Sequence, residues 1–139
     1  MTQTKVILSD FLCGQLQEVL NDVEFGRLDV QMAYSDATAR ELVSDESGKF
    51  GADLIRFPAG GIVQMHKHLG SHILVVIGGK GLLFCESGPM ELSPGTVYLV
   101  PENVSHEIQA TDVPLTLISV GNNRYPPESP ERLSLDSMS

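Results

Sequence analysis

The four histidines constrain the fold of this 139-residue chain more than any other feature of its sequence. His66, His68 and His72 fall within seven consecutive positions, and His106 follows at a distance. Imidazole is the commonest metal ligand in proteins near neutral pH, because its pKa of about 6.5 leaves the form with a free lone pair available. The cluster is therefore a candidate metal site, provided that the backbone brings the rings together.

Strand geometry brings these rings together, and helix geometry does not. At about 100° per residue, a helix would place His66 roughly opposite His68. In a strand the same two side chains share one face, about 6.6 Å apart. His72 opens an apolar, β-branched segment and His106 lies in another extended segment, so all four meet only if the sheet curls over on itself. The competing interpretations are scattered surface or core histidines of an ordinary β domain, and a site that binds metal adventitiously.

Turn residues divide most of the chain into short strands. Apolar residues at near-helical spacing after Ser9 and Asp10 predict a short N-terminal helix, followed by a strand near 28–32 and a helical turn at 37–43. Eight further strands are predicted at 52–57, 62–68, 72–77, 82–86, 90–92, 96–100, 104–109 and 115–120. This pattern is typical of an all-β jelly-roll barrel.

The predicted organisation is one domain with three parts. Residues 1–48 would pack on the barrel, 49–121 would form the barrel core, and 122–139, rich in proline and serine, would be a tail or an arm outside the core. The formal net charge of -9 argues against nucleic acid and anionic membrane surfaces as partners. The sequence shows neither a long apolar stretch nor a leader-like segment, and we expect a cytoplasmic protein.

Two motifs in residues 50–120 resemble those of the cupin superfamily. The first, G-x5-H-x-H-x3-E-x6-G, is matched by Gly60, His66, His68 and Gly79, and the second, G-x5-P-x-G-x2-H-x3-N, by Gly95, Pro101 and His106. Three positions depart from the pattern. His72 takes the glutamate position, as in the four-histidine subset of small cupins, and Ala110 replaces the closing asparagine. Asn103 takes a glycine position, where asparagine tolerates the left-handed conformation that a turn needs.

The resemblance implies one divalent transition metal per chain, held by His66, His68, His72 and His106. Iron or manganese is favoured, and zinc, nickel, copper and cobalt are compatible with imidazole ligands. Four neutral imidazoles leave the ion its full double charge, and a six-coordinate ion keeps two positions open for water, dioxygen or a bidentate substrate. We expect a dioxygenase-type, metal-dependent oxygenase acting on a small organic substrate, in a homodimer. A redox-neutral isomerase, cyclase or lyase, and a non-catalytic small-molecule-binding or sensor cupin, are the alternatives.

Alternation along the strands predicts which side chains share the cavity with the metal. Residues with the parity of their strand's histidine should face inward, whereas Met65, Lys67 and Glu107 should face outward. Arg56 could bind a substrate carboxylate, with a solvated surface arginine as the alternative. Tyr98 could line the cavity or pack outside it, and no general base is apparent. The predicted substrate-binding residues are Gln64, Arg56, Ile62, Leu74, Val76, Tyr98, Val104 and Ile108.

Overall fold

The computed structural model describes residues 6–8, 11–13, 16 and 29–135, and nearly all regular secondary structure in this part of the chain is β-strand. Its strands are β1 (Val6–Leu8), β2 (Phe11–Cys13), β3 (Val30–Gln31), β4 (Thr38–Ser44), β5 (Gly51–Phe57), β6 (Ile62–Lys67), β7 (His72–Cys85), β8 (Gly88–Leu92), β9 (Val97–Val100), β10 (His106–Gly121) and β11 (Ser134–Leu135). One 3-10 turn, Pro130–Arg132, precedes β11. Among the described residues, no helix is long and apolar enough to cross a bilayer.

Two predicted helical segments are strands instead. β1 and β2 pair antiparallel, so the predicted helix is wrong over Phe11–Cys13, where aromatic and apolar residues pair with the apolar run of β1. Leu16 is helical, and the rest of that predicted helix lies outside the described residues. The predicted helical turn at 37–43 is also wrong, because β4 pairs along β5 through that stretch. In both segments, pairing with a neighbouring strand outweighs the helical spacing of the apolar residues.

The main sheet has nine strands and curls so that one face encloses the core. The hydrogen-bonded order is β11-β6-β10-β5-β4-β3, and β7 pairs with β10, β8 and β9, with every pairing antiparallel. The buried apolar cluster on the inner face is drawn from nearly every strand, with Phe57, Val63, Val76, Leu115 and Leu117 at its centre. The predicted all-β jelly-roll barrel is confirmed.

β7 and β10 are each one long strand where the sequence analysis predicted two strands separated by a turn. The predicted turn around Gly78–Gly81 lies within β7, and the register of the β7–β10 pairing shifts between Ala110 and Leu115. At this bend Gly79 has a φ of 78°, and a Cβ there would overlap the carbonyl oxygen of Pro114. The glycines therefore allow the two long strands to bend past each other without ending.

An extra residue in β6 changes which side chains face inward. His106 is opposite His66 and Ile108 is opposite Val63, so two steps on β10 match three steps on β6. This bulge turns both Val63 and His66 towards the core, while Gln64 is exposed. The alternation assumed from the sequence therefore holds only on the His66 side of the bulge.

The C-terminal segment packs on the barrel. β11 pairs with β6, opposite Lys67 and His66, and Leu133 belongs to the buried apolar cluster. Arg124 and Arg132 are also buried. The expectation of a tail outside the core therefore does not hold for these residues, because buried ion pairs and an apolar anchor fix the segment in place.

Candidate metal centre

The fold brings all four histidines to one end of the barrel interior. His66 lies on β6 opposite His106 at the start of β10, His68 follows β6, and His72 begins β7. His66, His68 and His106 have ligand atoms that all lie within 4.8 Å of one another. The His72 ring centroid is 4.3 Å from that of His68, and His72 lines the same cavity.

The turns of the two motifs take the backbone conformations that their residue types favour. Gly60, Gly79 and Gly95 have φ values of 73°, 78° and 95°, and Asn103 has a φ of 59°. The left-handed conformation expected of Asn103 is therefore observed. Its backbone N–H donates to the carbonyl of His68 at 2.8 Å, so the second motif's turn fixes the chain beside a histidine of the first motif.

Backbone carbonyls orient three of the rings. Nδ1 of His66, His68 and His106 donates to the carbonyls of Gln64, Gly70 and Val104, at 2.7, 2.8 and 2.8 Å. Because a carbonyl can only accept, each Nδ1 carries a proton, and in the neutral ring the lone pair is then on Nε2. Metal-binding histidines in proteins are oriented in this way.

A hydroxyl and a glycine position the fourth ring. His72 Nδ1 and the buried Ser119 Oγ lie 2.8 Å apart, at hydrogen-bond distance. Gly121 lies opposite His72 on β10, and a Cβ at this glycine would come within 2.8 Å of the imidazole. Burial, the neighbouring His68 ring and the charge of Arg132 lower the pKa of His72 to about 3. Burial also lowers the pKa of His68, so both rings are neutral at pH 7.

These residues suit a divalent transition metal. At about 2.1 Å from an ion, two imidazole nitrogens lie at most about 4.2 Å apart, so the group of three needs only a small contraction. Nδ1 of each ring has a hydrogen-bond partner, which leaves Nε2 as the nitrogen that could bind the ion. The residues that would hold the ion are thus His66, His68 and His106, with His72 beside them.

The cavity at the histidines is small and mostly apolar. Its volume is about 40 Å³. Apolar side chains from six strand positions and from Met32, just after β3, line it together with the histidines: Met32, Ile55, Phe57, Val63, Leu74, Ile108 and Leu117. No carboxylate is among the described lining residues.

Only two of the eight predicted substrate-binding residues line this cavity, Leu74 and Ile108. Val76 faces the core away from the cavity, and Tyr98 packs against the core, with a buried hydroxyl that has no hydrogen-bond partner among the described residues. Burial raises the pKa of this phenol.

The other four predicted residues also lie outside this cavity, for identifiable reasons. The bulge in β6 exposes Gln64 and leaves Ile62 half-buried outside the cavity. Val104 is exposed because it lies in the turn before β10, where alternation does not apply. Arg56 alternates with Ile55 and Phe57, which line the cavity, and is buried with an ion pair to Asp29 at 3.6 Å.

The prediction missed the other eight lining residues, among them Ser119, Arg132 and Leu133. Arg132 donates to Asp53 Oδ2 at 2.9 Å, and Arg124 donates to Asp53 Oδ1 at 2.7 Å. Arg132 also donates to the carbonyl of Tyr125 at 2.7 Å. No local pattern marks these residues, since the C-terminal segment reaches the site only through tertiary packing. Ser119 could have been found from the predicted 115–120 strand, because it lies two residues after Leu117 and therefore on the same face, and Leu117 also lines the cavity.

Fold and site together define a small β-barrel protein with a histidine-lined interior cavity. A sequence model of the cupin domain family matches residues 53–121. The chain belongs to the cupin superfamily. A search of curated proteins found no match.

Several solved structures are similar to this chain. The polyketide cyclase RemF from Streptomyces resistomycificus is 19% identical, with a TM-score of 0.64 over 79% of this chain and 78% of RemF. A cupin-like protein from Thermotoga maritima is 28% identical, with a TM-score of 0.57 over 63% of this chain and 68% of that chain. A cupin 2 conserved barrel domain protein from Rhodopseudomonas palustris is 16% identical, with a TM-score of 0.66 over 80% of this chain and 77% of that chain.

Proposed function

We propose that this cupin is a mononuclear metal-dependent oxygenase of the dioxygenase type, acting on a small organic substrate. The observation that carries the proposal is the orientation of His66, His68 and His106, whose anchored rings present ligand atoms within 4.8 Å of one another. A bound divalent ion would supply Lewis acidity and, if redox-active, electrons for dioxygen. The resemblance favours iron or manganese.

The walls of the cavity support an oxygenase over the redox-neutral alternatives. An isomerase, cyclase or lyase that moves a proton needs a positioned base. The described cavity wall offers no carboxylate, and its histidines are committed to the ion. The apolar side chains around them exclude water from reactive species, which oxygen chemistry requires.

Elemental analysis and oxygen uptake test this proposal. We expect about one metal per purified chain, and loss of metal in His66→Ala and His106→Ala, whereas the matched variant Lys67→Ala, exposed on the same strand, keeps it. An iron-loaded sample should consume oxygen with a member of a panel of diketones, catechols, thiols and small carboxylates. Turnover without oxygen uptake would favour the redox-neutral enzyme, and tight ligand binding without turnover would favour the sensor. Equal metal content in all variants would contradict the proposal.

His72 is proposed as the fourth ligand. His72→Glu should retain the metal and change its redox behaviour, because a carboxylate lowers the net charge of the centre. The test is the redox potential and the electronic spectrum of the loaded protein. Unchanged metal content and spectra in His72→Ala would remove His72 from the ligand set.

We also propose a homodimer, as the resemblance implies. Ile73, Val97 and Leu99 are exposed on the outer faces of β7 and β9, where Ile73 is opposite Leu99. An apolar strip of this kind is typical of a protein interface. Light scattering should give twice the monomer mass for the wild type and the monomer mass for Leu99→Lys, and a monomeric wild type would contradict the proposal.

A further inference from the structure

We infer that the site takes a small carboxylate anion, with Arg132 binding its negative charge and Leu133 limiting its size. This inference rests on the proposed metal centre and names the class of ligand that the centre accepts. It starts from two residues of the C-terminal segment that line the cavity, although the metal-site motifs lie elsewhere in the chain.

The buried charges next to the cavity do not balance. One carboxylate, Asp53, pairs with two guanidinium groups, Arg124 and Arg132, and all three residues are buried. Glu41 also pairs with Arg124, at 3.2 Å, but it is exposed, and only Arg132 of these groups lines the cavity. The buried trio has one excess positive charge, and a divalent ion bound by neutral imidazoles would add two more. An anionic ligand would offset this charge where water is scarce.

Arg132 has donors left for such a ligand. A guanidinium carries five N–H groups. Among the described residues, Arg132 uses Nη1 for the carbonyl of Tyr125 and Nη2 for Asp53. These two bonds hold the guanidinium in place. A ligand in the cavity therefore meets a fixed donor group, and the side chain loses little conformational entropy on binding.

The volume of the cavity limits the ligand to a few atoms. A water molecule needs about 10–15 Å³ of such volume, so about 40 Å³ corresponds to roughly three waters. Pockets for larger organic ligands measure about 300–1,000 Å³. Leu133 is buried in the core cluster and forms part of the cavity wall, so a ligand with a ring would have to displace it.

Cobalt-loaded protein provides the test, because the visible spectrum of cobalt reports its ligands. Wild-type protein should bind formate and acetate more tightly than benzoate. Arg132→Gln should weaken formate binding about 10- to 100-fold, as expected for loss of a charged hydrogen bond, and change the affinity for formamide, an uncharged ligand of similar size, less than threefold. Leu133→Ala should tighten benzoate binding at least tenfold and leave formate within threefold. Leu135→Ala, an exposed position on the same segment, should behave as wild type in both titrations.

The metal centre, the role of Arg132 and the size limit would each be contradicted by a different result. If wild-type protein does not bind cobalt, the proposed metal centre itself is wrong. If cobalt binds and Arg132→Gln keeps the wild-type affinity for formate, the role of Arg132 is overturned. Wild-type benzoate binding as tight as formate binding would overturn the size limit. Should Arg132→Gln not fold, Arg132→Lys keeps the charge without the planar donor group, and it should weaken formate binding by less than tenfold but more than threefold.

Discussion

Replacing Asp53 with asparagine is expected to destabilise the protein by about 3 kcal/mol, because it leaves two buried guanidinium groups without their common carboxylate. Asp53 accepts from Arg124 Nη2 at 2.7 Å and Nε at 3.3 Å, and from Arg132 Nη2 at 2.9 Å. Breaking a buried ion pair costs about 3–5 kcal/mol. The lower end applies here, since Arg124 keeps Glu41 and the carbonyl of Gly48 as partners.

The loss is measured by urea unfolding followed by circular dichroism. Domains of this size have a stability of about 5–15 kcal/mol, so Asp53→Asn should still fold, with its melting temperature lower by roughly 10 °C. Asp112→Asn, an exposed acid on β10, is the matched control and should change stability by less than about 0.5 kcal/mol.

A double-mutant cycle tests the mechanism itself. In Asp53→Asn combined with Arg132→Gln, the total loss should be smaller than the sum of the single losses by at least about 1 kcal/mol, because the residues are in contact. Additive losses, or a loss below about 1 kcal/mol in Asp53→Asn alone, would refute the idea that this buried network holds the C-terminal segment on the barrel.

Three further substitutions test other parts of the structure. Gly79→Ala should cost at least about 2 kcal/mol in chemical unfolding, because of its positive φ and an overlap with the carbonyl of Pro114; a neutral effect would mean that β7 does not bend there. Ser119→Ala should weaken metal binding about 10- to 100-fold in a chelator competition if the hydroxyl orients His72 as a ligand, and unchanged affinity would argue against that role. Tyr98→Phe should leave stability unchanged or raise it by up to about 2 kcal/mol in thermal unfolding, because it removes a buried hydroxyl without a described partner; a clear loss would show that the hydroxyl is bonded.

The local features of the site were predictable because they depend on residues close together in sequence. The spacing of His66 and His68 required an extended segment, and His106 required the sheet to curl; His66 lies on β6 opposite His106, and His68 directly follows the strand. Turn chemistry at Gly60 and Gly95 also matched the structure, since a positive φ is a local property of the chain.

Prediction failed where one extra residue or a contact distant in sequence decides which way a side chain faces. A single extra residue in β6 reversed the facing of Gln64, because the side-chain period in a strand is two. Arg56 had the donor chemistry expected of a substrate-binding arginine but lies on the opposite face of β5 from the cavity.

The sequence by itself determined the β architecture, the family and the four imidazoles of the candidate centre. Strand alternation, turn residues and ligand chemistry each depend only on residues close together in the sequence. Only the tertiary structure decided the shape, size and charge of the cavity. Arg132 and Leu133 come from a segment with no metal-site pattern, and they reach the site because Asp53, far away in sequence, binds the arginine inside the barrel. Pairing across such a distance depends on the folded path of the chain, which no local pattern specifies.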